Sequence, residues 1–210
     1  MSVSYIFDLD GVLVFTDNFH YQAWKRLADE LGIYFDETIN NRLRGVSRMA
    51  SLEIVLEKSE KQYTDKEKAE FADRKNGYYR ELLKTMTPED VSEPVRRTLA
   101  ELRRRGHKFA IGSSSKNTKF ILERVALSDA FDAISDGTNI SRSKPDPEVF
   151  QKAAEFLGED PENCIVIEDA YAGIDAAKAA GMRAIGIGDA AFYKKADWRI
   201  QSFDEILNIV

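Results

Sequence analysis

Short apolar runs ending in small or polar residues constrain this chain more than any other feature. They are Val3–Phe7, Lys108–Ile111, Cys164–Ile167 and Ala184–Ile187, with a weaker one at Asp132–Ser135. Helical spacings lie between them. Asn117 opens a pattern carrying Phe120, Ile121, Leu122 and Val125, and Ala172 opens one with Ile174, Ala177 and Ala180 that closes at Gly181. Apolar runs alternating with helical patterns predict buried parallel strands with helices on both faces, an α/β domain.

The segment from about Asp17 to Met86 breaks that alternation. It holds only helical patterns: Phe19, Trp24, Leu27 and Leu31, then Leu52, Val55 and Leu56, then a charged run from Thr64 to Lys84 with Phe71, Tyr78 and Leu82. A structureless loop of that length between neighbouring strands is implausible, so an inserted helical domain is expected. Residues 1–16 plus 88–210 form the expected core and 17–87 the insertion. A turn near Thr16 and the segment Thr87-Pro88-Glu89-Asp90 are the expected hinges.

Ligands of parallel α/β sheets sit beyond the carboxyl ends of the strands. Asp8 and Asp10 follow the first run, Ser113, Ser114, Ser115, Lys116 and Asn117 the second, and Glu168 and Asp169 the fourth; Lys144 lies between the third and fourth. Strand alternation places Asp10 on the same side as Asp8, and Gly11 permits a tight turn. Carboxylates gathered in one place repel one another unless a hard cation is present, and oxygen ligands of this kind suit Mg²⁺. Hydroxyl and lysine donors suit phosphate oxygens. A carboxylate beside a phosphate with a second acid two residues on can carry out nucleophilic phosphoryl transfer, Asp8 attacking phosphorus and Asp10 handling the proton.

Composition narrows the classes. A chain of 210 residues that is 43% hydrophobic and 31% charged has material for a real core. No apolar run approaches the roughly 20 residues of a membrane helix, and the net charge of −6 argues against a nucleic-acid partner. No secretory signal is read at the N-terminus, and one cysteine precludes an internal disulfide, so cytoplasm is the expected compartment; monomer is the default expectation. Arg103-Arg104-Arg105 before Gly106 reads as a helix C-terminus whose cations complement the dipole. His107, in the turn that follows, reads as a surface residue, and Cys164 as a small core hydrophobe.

Asp8-Leu9-Asp10-Gly11-Val12, Ser113, Lys144 and Glu168-Asp169 resemble the four motifs of the haloacid dehalogenase superfamily, in order and across the core. The resemblance implies a Rossmann-like parallel sheet with an all-helical cap. It makes Asp8 the nucleophile that forms a phospho-aspartate and Asp10 the general acid/base. Ser113 and Lys144 would steady the phosphoryl group, while Asp8, the Asp10 carbonyl, Asp169 and Glu168 would organise Mg²⁺.

A narrower resemblance points to the β-phosphoglucomutase branch of that superfamily. It rests on Thr16, His20 and Trp24, on Arg44-Gly45-Val46-Ser47-Arg48, on Arg74-Lys75-Asn76 and on Ser113 to Asn117. It implies that Arg48, helped by Ser115, Lys116 and Asn117, holds the phosphate not being transferred, and that His20 and Lys75 work at the sugar and the closed cap. The reaction implied interconverts β-D-glucose 1-phosphate and glucose 6-phosphate through a β-glucose 1,6-bisphosphate. A sugar-phosphate phosphatase, a ligand-sensing protein on the same fold, and phosphonate cleavage through a Lys75 Schiff base stand as alternatives. Two positions depart from the pattern: Phe15, where relatives commonly carry Asp, and Arg44, where lysine is frequent.

Overall fold

A computed structural model describes residues 3–43 and 46–209. In chain order its elements are β1 (Ser4–Phe7), α1 (Asp17–Leu31), α2 (Glu37–Asn41), α3 (Arg48–Leu56), α4 (Asp65–Leu83), α5 (Glu93–Arg104), β2 (Phe109–Gly112), α6 (Thr118–Arg124), β3 (Ala133–Ser135), α7 (Glu148–Leu157), β4 (Cys164–Glu168), α8 (Tyr171–Ala179), β5 (Arg183–Gly186) and β6 (Trp198–Arg199), with short 3₁₀ turns between some of them. The chain divides into two compact units, one running to Phe15 and resuming at Thr87, the other spanning Thr16–Met86.

In the first unit the strands form one parallel sheet in the order β3-β2-β1-β4-β5-β6. Each apolar run of the sequence becomes a strand, with ends displaced by a residue at most. The exception is β6, two residues of the stretch Asp197-Trp198-Arg199-Ile200, too short and too polar to announce itself.

Alternation along β1 feeds both faces of the sheet. Ile6 packs with Ala110, Val166 and Ala184 under Phe150, Ala153, Ile174 and Ala177. Tyr5 and Phe7 join an aromatic layer on the other face, where the Phe7 ring lies 5.6 Å from Phe109, 5.9 Å from Phe203 and 6.2 Å from Phe131. His107 belongs to that buried layer, contrary to the surface position expected for it. Its Nδ1–H donates to the Val3 carbonyl at 2.7 Å and its ring meets Tyr5 edge-on at 5.1 Å. Gly106 does take the left-handed conformation (φ 85°) that ends α5, and Cys164 is buried.

The second unit packs α1 to α4 around Trp24, Leu27, Ala28, Ile33, Phe35, Leu52, Val55 and Phe71. Helix α1 stops at Gly32 in the left-handed region (φ 70°), and α4 starts from a capping box in which Thr64 and Glu67 exchange hydrogen bonds. The buried stripe of α4 runs Phe71, Lys75, Tyr79 and Leu83, rotated from the expected Phe71, Tyr78 and Leu82. Tyr78 instead donates its hydroxyl to Glu30 at 2.6 Å on the surface.

The aromatic layer sets an expectation for stability. Phe109→Ala should cost about 3–5 kcal/mol through lost burial and a residual cavity. Phe156→Ala, at a half-exposed position on α7, should change stability by about 0.5 kcal/mol or less. Urea midpoints of the two variants measured side by side check this.

Candidate active site

The strand order reverses at β1, with β2 and β3 to one side and β4 to β6 to the other. That switch point is where open parallel sheets present ligand sites, and Asp8 stands on it. The Asp8 N–H donates to the Ile167 carbonyl at 3.0 Å, so the first residue past β1 is held against the end of β4. Because β1 ends at Phe7, Asp10 belongs to the turn beyond it and not to an alternating strand. That turn is closed by Gly11 N–H to the Val14 carbonyl at 2.7 Å and Leu13 N–H to the Leu9 carbonyl at 3.0 Å, with Gly11 at φ 85°.

Lys144 reaches the same place from the loop before α7. Its Nζ donates to Asp8 Oδ1 at 2.5 Å and to Glu168 Oε2 at 3.2 Å, and all three side chains are buried. Burial alone would favour a neutral amine, but the Asp8 and Glu168 charges outweigh it and hold the Lys144 ammonium above its ordinary value. Burial and then the Asp8 charge push the Glu168 carboxyl well above the usual carboxylate range, against the pull of Lys144. Oxygens of Asp8, Glu168 and Asp169 lie within 4.8 Å of one another. Three acids around one ammonium leave negative charge in excess, and the donor set is all hard oxygen, which fits a divalent cation.

The loop after β2 is tied to the loop after β3. Ser113 N–H donates to the Ser135 carbonyl at 3.1 Å, and Gly137 N–H donates to the Ser115 carbonyl at 3.1 Å. The Ser113 hydroxyl accepts from Ser115 N–H at 3.1 Å, and the Ser115 hydroxyl accepts from Asn117 N–H at 3.2 Å. Ser113 and Asn117 are buried and Lys116 is exposed.

The helical unit gathers a second group. Lys75, buried, donates to His20 Nδ1 at 2.8 Å, and its ammonium lies 4.7 Å from the centres of both the Trp24 and Tyr79 rings. Tyr79 stacks on His20 at 4.0 Å and donates its hydroxyl to Thr16 Oγ1 at 3.0 Å. Thr16, His20, Trp24 and Lys75, taken from two separate stretches of the sequence on the family resemblance, thus form one cluster. Tyr79 is the member missed, and its one signal was its place four residues after Lys75, on the same helix face. Burial, then the Lys75 and Arg48 charges, hold the His20 imidazole well below its usual range.

Arg48 opens α3 and donates to Asn76 Oδ1 at 3.0 Å, and burial lowers its guanidinium from its usual value. Ser47 caps α3 by accepting from Ala50 N–H at 3.3 Å, and Val46 is exposed. Arg44 and Gly45 lie outside the described residues.

The sequence profile of the haloacid dehalogenase-like hydrolases matches residues 4–181. The chain belongs to this haloacid dehalogenase-like family. Family membership implies a divalent metal, and the acidic cluster at the switch point is where one fits. A β-phosphoglucomutase of Bacillus subtilis (strain 168) is 45% identical over 185 residues, 87% of this chain and 82% of the relative. A phosphorylated carbohydrates phosphatase of Thermotoga maritima is 32% identical over 183 residues, covering 86% and 82%. A crystal structure of β-phosphoglucomutase from Clostridium difficile superposes with a TM-score of 0.91 at 39% identity, covering 98% of this chain and 93% of the other.

The lowered imidazole of His20 has a sign that can be tested. An unfolded chain takes up a proton near the ordinary histidine value of about 6.5, while the folded one resists it. Its contribution to stability is therefore complete above that pH and is lost as pH falls toward the folded-state value. Between about pH 7.5 and pH 5.5 the wild type should lose roughly 1 kcal/mol more than His20→Gln, read from urea midpoints.

Proposed function

We propose that this chain is a phosphoryl-transfer mutase, an isomerase that interconverts β-D-glucose 1-phosphate and glucose 6-phosphate. The carrying observation is the 45% identity to a β-phosphoglucomutase along 87% of the chain, together with the buried Asp8–Lys144–Glu168 arrangement at the sheet's switch point. Residues 1–16 plus 88–210 act as the catalytic core and 17–87 as the cap. The protein works as a cytoplasmic monomer on small sugar phosphates.

Asp8 Oδ attacks phosphorus, forming an acyl phosphate while the bond from phosphorus to the substrate oxygen breaks. Asp10 delivers a proton to that departing oxygen, and in the return step it takes one from the attacking sugar hydroxyl. Lys144 orients the Asp8 carboxylate and, with the Ser113 hydroxyl, contacts the phosphoryl oxygens. Asp8, Asp169, Glu168 and the Asp10 carbonyl hold Mg²⁺, which when bound offsets the charge of carboxylate and phosphate brought together. Arg48, aided by Ser115, Lys116 and Asn117, takes the phosphate not being transferred, so the β-glucose 1,6-bisphosphate turns end for end between two anion sites. Thr16, His20, Trp24, Lys75 and the loop Arg44-Gly45-Val46-Ser47 contact the sugar and govern access of water to the phospho-aspartate.

Phosphorus NMR of the protein with Mg²⁺, β-glucose 1-phosphate and a trace of the bisphosphate separates this from the phosphatase reading, which the Thermotoga maritima relative favours. Glucose 6-phosphate without inorganic phosphate is expected; inorganic phosphate alone means a phosphatase. Arg48→Ala should lower mutase turnover by about tenfold or more, the weight of a charged hydrogen bond, and spare hydrolysis of an aryl phosphate. Equal losses in both assays would remove the distal phosphate site.

A further inference from the structure

Glu168 and Asp169 are consecutive, and consecutive side chains leaving a strand point to opposite sides. Their carboxylates nevertheless converge, each within 4.8 Å of an Asp8 oxygen. The chain bends at Asp169, directly after β4 ends.

The space comes from two glycines. A Cβ built on Gly173, in α8, would fall 2.0 Å from Cδ, 2.1 Å from Cγ and 2.2 Å from Oε1 of Glu168. A Cβ on Gly11 would fall 2.1 Å from Asp169 Oδ2. No real Cβ contact is that short, so each acid lies in the volume that any other residue's side chain would occupy. Glu168 is folded across the first turns of α8, where Gly173 costs roughly 1 kcal/mol of helix propensity relative to alanine. Glu168 is itself buried, so its side chain has no open solvent to swing into if that volume is filled.

We propose that Gly173 is a positioning residue for the cation site: its missing side chain is the shelf on which Glu168 turns back toward Lys144 and Asp8. This rests on the reading of Asp8, Glu168 and Asp169 as the holders of the divalent cation. Gly11 serves Asp169 in the same way, but its positive φ would add backbone strain to any substitution there. Gly173 is therefore the cleaner test.

A double-mutant cycle read by calorimetric titration with Mg²⁺ decides it. Gly173→Ala should weaken Mg²⁺ binding by about tenfold or more, the scale of losses from groups that orient metal ligands. In a Glu168→Ala background, which removes the atoms the new Cβ would meet, the same alanine should cost threefold or less (roughly a 0.5 kcal/mol additivity error). Folding follows the same rule: if Gly173→Ala does not fold, the shelf requires that Gly173→Ala/Glu168→Ala does. An alanine that costs equally in both backgrounds, in Mg²⁺ affinity or in folding, overturns the shelf. A wild type that binds no Mg²⁺ overturns the cation-site reading as well, and so is distinguishable from failure of the shelf alone.

Discussion

The site is organised by one buried ammonium. Lys144 sits between Asp8 and Glu168, at 2.5 and 3.2 Å, with all three side chains removed from water. Burial of such charges costs several kcal/mol per ion and is tolerable only with close partners and good geometry. Lys144 supplies that partnership for two acids at once and fixes the carboxylate of Asp8 in orientation. With Asp169 the negative charge still exceeds the positive, a surplus that suits a divalent cation. Everything else in the first unit keeps these groups in register: the Asp8 amide bound to β4, the aromatic layer under β1, and the glycines that leave room for the acids.

The fold and the acid–lysine cluster at the sheet's switch point were legible because their physics is local. Apolar runs that end abruptly in acids or hydroxyls mark buried strands and the edge where their ends meet. Val3–Phe7 with Asp8, and Cys164–Ile167 with Glu168 and Asp169, carry that message in a handful of residues. The insertion was legible for a complementary reason, since helical spacings without an apolar strand run cannot join the sheet. In the helical unit, Thr16, His20, Trp24 and Lys75 were identified through family resemblance; periodicity alone would have left them as parts of an amphipathic surface.

What escaped depends on partners far away in the chain. His107 looks like a polar turn residue, but its donor is used by the Val3 carbonyl, 104 positions distant. Buried beside Tyr5, it satisfies a strand-entry carbonyl that water would otherwise have to reach. Tyr79 looks like one aromatic among several on α4, and the rotation of the buried stripe toward it comes from Lys75 and His20 packing against its ring. Gly173 carries no side-chain signal at all: its role is visible only as the position of someone else's carboxylate. Ser47 shows the converse, since a residue drawn into the site by resemblance also has a plain structural duty as the cap of α3.

Asp8 is the proposed nucleophile toward phosphorus, and its role can be measured without reference to which sugar is turned over. Acid quench of the protein during turnover with Mg²⁺ and β-glucose 1,6-bisphosphate, followed by borohydride reduction, converts an acyl phosphate on an aspartate to the corresponding alcohol. Peptide mass spectrometry should then find the reduced side chain at position 8 and nowhere else. Full turnover with residue 8 unreduced, or reduction at any other aspartate or glutamate, would contradict it.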